Sequence, residues 1–313
     1  MRDASDGTNS EVVRGEYTSS EGTRPWRLFV PSRATNAMPS MLLVMLHGCT
    51  QSANDFAAGS RMDVVAEEQG YFVLYPEQLA KANARSCWNW FDAAHQMHGH
   101  GEPSLIAGMV NEIARKYAID AARVHLVGVS AGAAMATLTA VAYPQQFATL
   151  TSASGIGWRA ATDVVRALTV MQKGGGDGLP TSQMMIAAMG STARAVPTLV
   201  LHGGRDAVVN AKNADDLATQ WVGVHDALRA RNGEPALLAD AAAATRSDNG
   251  YTVNERSWRD SKGSARVTLI RIEDLGHAWS GGSTVGTFTD AKGPDASRLI
   301  AAFCAAHART ASR

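Results

Sequence analysis

Residues 123–142, RVHLVGVSAGAAMATLTAVA, restrict the fold of this chain more than any other stretch. The apolar run at 124–127 reads as a buried strand, and the small, apolar residues after Gly132 read as a buried helix. Between them lies Gly128-Val129-Ser130-Ala131-Gly132, a G-x-S-x-G pattern. In a strand–turn–helix context this pattern makes a sharp turn that lifts the serine hydroxyl clear of both elements. Gly128 and Gly132 leave room where strand and helix nearly touch. In isolation the same residues would also suit a plain turn with Ser130 capping a helix. The strand before and the helix after favour a nucleophile.

The rest of the chain supplies the setting that such a turn needs. Residues 11–18 and 24–30 read as an opening hairpin, after ten residues expected to be frayed. An unbroken apolar run at 41–46 reads as a buried parallel strand, and helical spacing follows at 55–69. A short strand at 72–75 leads into a long loop, 77–102, that holds Trp88, Trp90 and Phe91. Helix 103–117 precedes the serine turn. Strands are expected at 147–151 and 198–201, helix at 210–232, and loop at 235–250. Strands at 251–258 and 266–272 and a helix at 294–307 close the chain. Alternating strands and helices predict an α/β fold: a mostly parallel central sheet with helices on both faces. Residues 158–195 break the rhythm and read as a helical, cap-like insertion. Its glycine run, 174–178, follows no strand and precedes no Lys-Ser/Thr pair, so it is not a phosphate cradle. The 313 residues are expected to form one catalytic domain without a separate substrate-binding domain.

Composition narrows the partners. Lys and Arg (29) balance Asp and Glu (29), and no basic block appears, which argues against nucleic acid. No apolar run reaches the length of a membrane span, and residues 1–13 lack an apolar signal core. The compartment stays open between extracellular or periplasmic, after loss of a leader, and cytoplasmic. Three cysteines make no disulfide framework. Cys49 and Cys87 both follow expected strands at one edge of the sheet; they are either a pair, which favours an oxidising compartment, or two buried thiols.

A serine hydroxyl needs a base within hydrogen-bond reach, and the base needs an orienting carboxylate. With a serine turn of this kind the acid and then the histidine follow along the chain, on loops past strand ends. His277 fits: it follows strand 266–272 in a glycine-flanked loop, whereas His225 and His307 lie in helices. Asp206 fits as the acid, in the loop after strand 198–201; Asp215, Asp216 and Asp226 fall within a helix. His95, His98 and His100 precede the serine and lack strong metal-ligand spacing; no metal and no cofactor is expected. The oxyanion donors are expected to be the amides of Ala131 and Cys49. His47 is expected to pack beneath that loop rather than exchange protons. Trp88, Trp90, Phe91, Trp158 and Trp279 are candidates for the cleft wall, Trp279 first because it lies two residues from His277.

These residues sit in stretches that together carry a family resemblance. LHGCTQ at 46–51, GSRMDVVAEEQGYFVLYPEQ at 59–78, SCWNWF at 86–91 and GEPSLIAGMV at 101–110 are four of them. GVSAGAAM at 128–135, LHGGRDAVV at 201–209, GHAWSGG at 276–282 and TDAKGPDAS at 289–297 are the others. The chain resembles the polyhydroxybutyrate depolymerase family of esterases, in the α/β-hydrolase superfamily. The resemblance implies a serine esterase with Ser130, Asp206 and His277 as triad, supports Cys49 as an oxyanion position, and implies an ester substrate. Polyester, oligomer and small ester all remain open as substrate. A feruloyl or acetylxylan esterase is the first alternative. A serine peptidase and a non-catalytic, hydrolase-like binding protein are the others.

Overall fold

A computed structural model describes residues 10–35 and 38–309. The expected fraying of residues 1–10 falls almost wholly on 1–9, outside the described residues. The chain opens with a hairpin, β1 (Glu11–Ser19) and β2 (Gly22–Val30), and enters the sheet interior with β3 (Ser40–Leu46). Two helices follow in place of the single one expected, α1 (Ala53–Ser60) and α2 (Met62–Gln69). Arg61 separates them at φ 55°, a left-handed conformation that the helical spacing of the side chains does not reveal. Then come β4 (Phe72–Pro76), α3 (Gly101–Lys116), β5 (Ile119–Val129), α4 (Ala131–Ala142) and β6 (Thr149–Ala153). The insertion carries two helices as expected, α5 (Val164–Lys173) and α6 (Ser182–Met189). After it stand β7 (Thr198–Gly203) and α7 (Lys212–Arg231).

Residues 235–250, expected as loop, contain two short strands, β8 (Leu238–Ala239) and β9 (Ala244–Asp248). Both pair with β10 (Tyr251–Arg259). They are largely exposed edge strands held by backbone pairing, so no alternation of apolar residues announces them. The chain ends with β11 (Ala265–Ile272), the two-residue strands β12 (Trp279–Ser280) and β13 (Thr289–Asp290), and α8 (Ala296–Ala305).

Among the described residues the main sheet has eleven strands, ten of them in the order β1-β2-β4-β3-β5-β6-β7-β11-β10-β8, with β9 beside β10. The run from β4 to β11 is parallel, and both flanks are antiparallel. Side chains of β3 alternate between two cores. Leu42, Val44 and Leu46 face the layer built with α3, α4 and α7. Leu43 and Met45 face the layer of α1, α2 and α8. Both faces are covered, which is why β3 is apolar at every position from Met41 to Leu46. Each such side chain contributes about 1.5–3 kcal/mol by burial, so a polar residue at either parity would cost.

The parallel order brings six loops to one edge of the sheet: those after β3, β4, β5, β6, β7 and β11. Crevices at the carboxyl ends of parallel strands are where such sheets hold ligands. The closest approach in this region is between α4 and its neighbours. A Cβ on Gly128 would lie 2.3 Å from the Gly132 carbonyl oxygen. One on Gly132 would lie 2.2 Å from the Leu46 oxygen and 2.4 Å from that of His47. These obstacles are backbone and cannot rotate away. Gly132→Ala is therefore expected to lower the stability by about 2–3 kcal/mol, read as a drop in the thermal unfolding midpoint; an unchanged midpoint would contradict the packing described.

Candidate active site

Ser130 occupies the sharp turn between β5 and α4, with φ 55° and ψ −123°. A side-chain-bearing residue at positive φ stores strain of order 1–3 kcal/mol. The fold holds it there. The Ser130 N–H donates to the Ala153 carbonyl at 2.9 Å, tying the turn to the end of β6, and α4 is buried along its whole length. Ser130 Oγ makes no hydrogen bond among the described residues. It lines a cavity of about 360 Å³ together with His277.

His277 and Asp206 meet across two loops. Nδ1 of His277 donates to Oδ2 of Asp206 at 2.7 Å. The other carboxylate oxygen accepts the backbone N–H groups of Val208 at 2.9 Å and Val209 at 2.8 Å. Burial works to raise the Asp206 pKa. The hydrogen bond and charge of His277, the Val209 N–H and the nearby His202 outweigh it and hold the carboxyl below its usual range. An ionised carboxylate only accepts, so the proton of the neutral imidazole sits on Nδ1 and Nε2 keeps its lone pair.

A second histidine, which sequence reasoning passed over, supports this pair. His202 Nε2 donates to the Val209 carbonyl at 2.9 Å and lies 3.5 Å from Asp206 Oδ2. Burial pulls the His202 pKa down, so it stays neutral. The signal was its place at the end of β7, four residues before Asp206.

The loop after β3 is held from three sides. The Gln78 N–H donates to His47 Nε2 at 3.0 Å, which leaves Nδ1 protonated to donate to the Gly48 carbonyl at 2.7 Å. Burial lowers the His47 pKa and keeps the ring neutral. The Gly48 carbonyl and the Cys49 N–H belong to one planar peptide and point opposite ways. Fixing the carbonyl on His47 thus fixes the direction of the Cys49 N–H. Cys49 is bonded to Cys87 as a disulfide, so the alternative of two free thiols does not hold. The Thr50 N–H donates to the Arg85 carbonyl at 2.7 Å. Gln51 completes the hold: Oε1 accepts the Gly48 N–H at 2.9 Å, and Nε2 donates to Asp55 and to the Thr287 carbonyl, both at 3.0 Å. On the other side of the serine, Ala131 opens α4, where a helix amide has no intrahelical acceptor.

The aromatic candidates divide. Trp90 and Phe91 line the cavity, edge to face at 5.6 Å. Their loop rests on buried Glu102, which accepts the Asn89 N–H at 2.7 Å and also bonds Gln78 and Arg24. Trp88, Trp158 and Trp279 do not line it, which corrects the expectation for all three. Trp88 is fully buried and packs on His47. Trp158 is buried, its N–H on Gln220 Oε1. Trp279 packs edge-on against Phe56 at 5.2 Å, with its indole N–H on Ser297. β12 turns Trp279 into the core beneath α8, so nearness to His277 in sequence misled. Sequence reasoning missed the actual wall: Val164, Ala167, Leu168 and Met171 of α5, with Val208 and Phe288. Phe288 stands edge-on to His277 at 6.4 Å and has φ 52°. His95 accepts the Glu102 N–H at the start of α3 and His98 bonds the Ala142 carbonyl at the end of α4; His100 lies 4.0 Å from Glu21.

A hydroxyl on a strained turn and an imidazole anchored by a carboxylate at one apolar cavity, with the Cys49 amide in its lining and the Ala131 amide at the start of α4, form a set that can perform acyl transfer. The family model described as esterase PHB depolymerase matches residues 25–250. The chain belongs to the esterase PHB depolymerase family. This depolymerase-family chain is 31% identical over 223 residues to poly(3-hydroxyalkanoate) depolymerase C of Paucimonas lemoignei, covering 70% of this chain and 53% of that protein. It is 35% identical over 129 residues to feruloyl esterase B of Neurospora crassa, covering 41% of this chain and 42% of that one. It is 29% identical over 229 residues to acetylxylan esterase A of Talaromyces purpureogenus, covering 68% and 56%. The chain spans about half the length of these curated relatives. Among solved structures, the acetyl xylan esterase from Aspergillus awamori superposes with a TM-score of 0.65 at 22% identity, over 85% of this chain and 94% of that one. An S-formylglutathione hydrolase from Agrobacterium tumefaciens gives 0.57 at 13% identity, over 96% and 97%. These likenesses share the fold, which is the α/β-hydrolase fold. His277 lies beyond the residues matched by the family model.

Two expectations follow. Asp206 has a depressed folded pKa, so its contribution to stability is complete above the unfolded value of about 3.9 and is lost as the pH falls through the folded value. The stability gap between wild type and Asp206→Asn should therefore close on acidification through that window, measured by denaturant unfolding; a gap constant down to the lowest pH would contradict the ionised anchor. His47→Leu should lower kcat on a simple soluble ester by about 10²-fold, the scale of one lost oxyanion donor, with KM little changed. A fall confined to KM would show that the Cys49 peptide does not depend on His47.

Proposed function

We propose that this chain is a serine esterase that hydrolyses short-chain polyhydroxyalkanoate esters, as polymer or oligomer, through Ser130, His277 and Asp206. The observation that carries the reading is the shared cavity: Ser130 and His277 line it, Asp206 anchors the imidazole, and its walls are mostly aliphatic. Val129, Val164, Leu168 and Val208 suit an aliphatic hydroxyacid chain better than a polar sugar. Membership of the depolymerase family and the match to poly(3-hydroxyalkanoate) depolymerase C support it.

In this mechanism Ser130 Oγ attacks the ester carbonyl while His277 Nε2 takes its proton. Asp206 holds the ring and stabilises the imidazolium. The Cys49 and Ala131 amides donate to the oxyanion, where preorganised donors contribute most. The C–O bond breaks, and His277 returns the proton to the leaving alcohol. Water then repeats the cycle on the acyl-enzyme. The Cys49–Cys87 disulfide supports an oxidising compartment, extracellular or periplasmic, for this activity. Among the described residues no helix is long and apolar enough to cross a membrane.

A feruloyl or acetylxylan esterase is the second reading. Trp90, Phe91 and Phe288 at the cavity would suit a planar acyl group, and relatives named for both activities match the chain. The test is turnover of 3-hydroxybutyrate oligomers, amorphous polyhydroxybutyrate, methyl ferulate and acetylated xylan, with Ser130→Ala alongside. Wild type should release hydroxybutyrate monomer or dimer, and Ser130→Ala should retain the fold and lose at least about 10³-fold in rate. Activity on ferulate or acetyl esters alone would move the substrate to plant cell walls. Turnover surviving in Ser130→Ala would overturn the nucleophile.

A further inference from the structure

The cavity that holds Ser130 and His277 has an uneven charge. Among the described residues no carboxylate lines it, and besides His277 the basic residue that does is Arg85, in the loop between β4 and α3. The Arg85 side chain is exposed and has no hydrogen bond, ion pair or ring partner among the described residues. Its backbone, by contrast, is fixed to the oxyanion loop. The Arg85 carbonyl accepts the Thr50 N–H at 2.7 Å, and two residues on, Cys87 is bonded to Cys49. The backbone that carries the cation is thus stapled beside the amide expected to bind the oxyanion, at a cavity whose lining is otherwise mostly apolar. In that lining Val164 and Leu168 of α5 are more than half exposed, and Phe288 is half exposed.

A neutral ester offers a guanidinium a carbonyl acceptor but no charge to pair. A polyester oligomer has one unit that offers such a charge: the terminal hydroxyacid, with an esterified hydroxyl and a free carboxylate. We propose that Arg85 is a specificity residue that binds the free carboxylate of short oligo-hydroxyalkanoates, so that the chain removes hydroxyacid units from the carboxyl end. The inference rests on the polyester reading above and narrows its substrate to carboxylate-ended oligomers. The chemistry balances without further reactants. The ester C–O bond breaks, the acyl carbon bonds to Ser130 Oγ, and the terminal unit leaves as the free hydroxyacid with the proton from His277. Water then releases the remaining oligomer. Arg85 exchanges no proton; it pairs with the leaving unit's carboxylate, for which a guanidinium is well shaped.

The test compares the 3-hydroxybutyrate dimer with its methyl ester, which removes the charge and little else. Binding to Ser130→Ala protein is measured by calorimetry, with and without Arg85→Gln, and turnover is measured with Ser130 intact. The free acid is expected to bind about five-fold more tightly than the methyl ester, the scale of a partly exposed ion pair. Arg85→Gln should abolish that preference, leave the methyl ester within two-fold in binding and turnover, and be rescued in part by Arg85→Lys. The preference should shrink as salt rises through 0.5 M. A preference that survives Arg85→Gln, an equal loss on both ligands, or no binding of either would overturn the proposal. Arg85-dependent binding without turnover by the wild type would leave the anion site standing and overturn the polyester reading instead.

Discussion

The closeness of α4 to the ends of β3 and β5 is the constraint on which the site depends. Where the Gly132 backbone meets the carbonyls of Leu46 and His47, no side-chain carbon fits. That contact sets Ser130 and the loop after β3 at one distance from each other. It also presses Ser130 into its positive φ, a strain repaid by the buried helix behind it and by the bond to Ala153. A looser approach would part the Ser130 hydroxyl from the loop that carries Cys49. Positioning of that kind is worth several kcal/mol in acyl transfer.

Neutral, buried histidines serve as fixtures around this contact. His47 takes an N–H from Gln78 and gives one to Gly48, which sets the plane of the Gly48–Cys49 peptide. His202 binds Val209 and sits beside the Asp206 carboxylate. His47, which both donates and accepts, defines its own tautomer; burial lowers the pKa of both rings and keeps them uncharged, so their hydrogen bonds do not change sense near neutral pH. Gln51 and Asp55 extend the same hold to the loop of Thr287 and Phe288, 236 residues away in the chain from Gln51. The oxyanion loop and the wall beside His277 thus share one set of anchors. Arg85 departs from this pattern, with a fixed backbone and an unengaged cation beside a cavity of mostly apolar lining.

Much of the site was legible in the sequence because its parts obey local rules. Ser130 announced itself by glycines two residues either side, set between an apolar strand and a small-residue helix. Asp206 and His277 stood out as the acid and base types in loops just past strand ends. The hydrogen bond between them brings those loops together. The cleft wall was not legible. Trp279 lies two residues from His277, yet β12 turns it inward against Phe56, whereas Phe288, eleven residues on, returns to face the imidazole. Residues 158–195 read as a helical, cap-like insertion, but the sequence does not tell which side chains of α5 line the cavity.

Sequence by itself determined the parallel sheet and its double cover, since strands apolar at every position demand burial on both faces. It also pointed to the serine turn, through glycines two residues either side of Ser130 between an apolar strand and a small-residue helix; that no side-chain carbon fits at Gly128 or Gly132 is a fact of the structure. Tertiary structure alone decided what surrounds the serine. The pairing of Cys49 with Cys87, the seating of His202 beside Asp206, the placing of α5 and Phe288 in the cavity lining, and the exposure of Arg85 there all join segments far apart in the chain or turn on loop paths. Such contacts follow from where loops cross in space, and neither spacing nor propensity encodes a crossing.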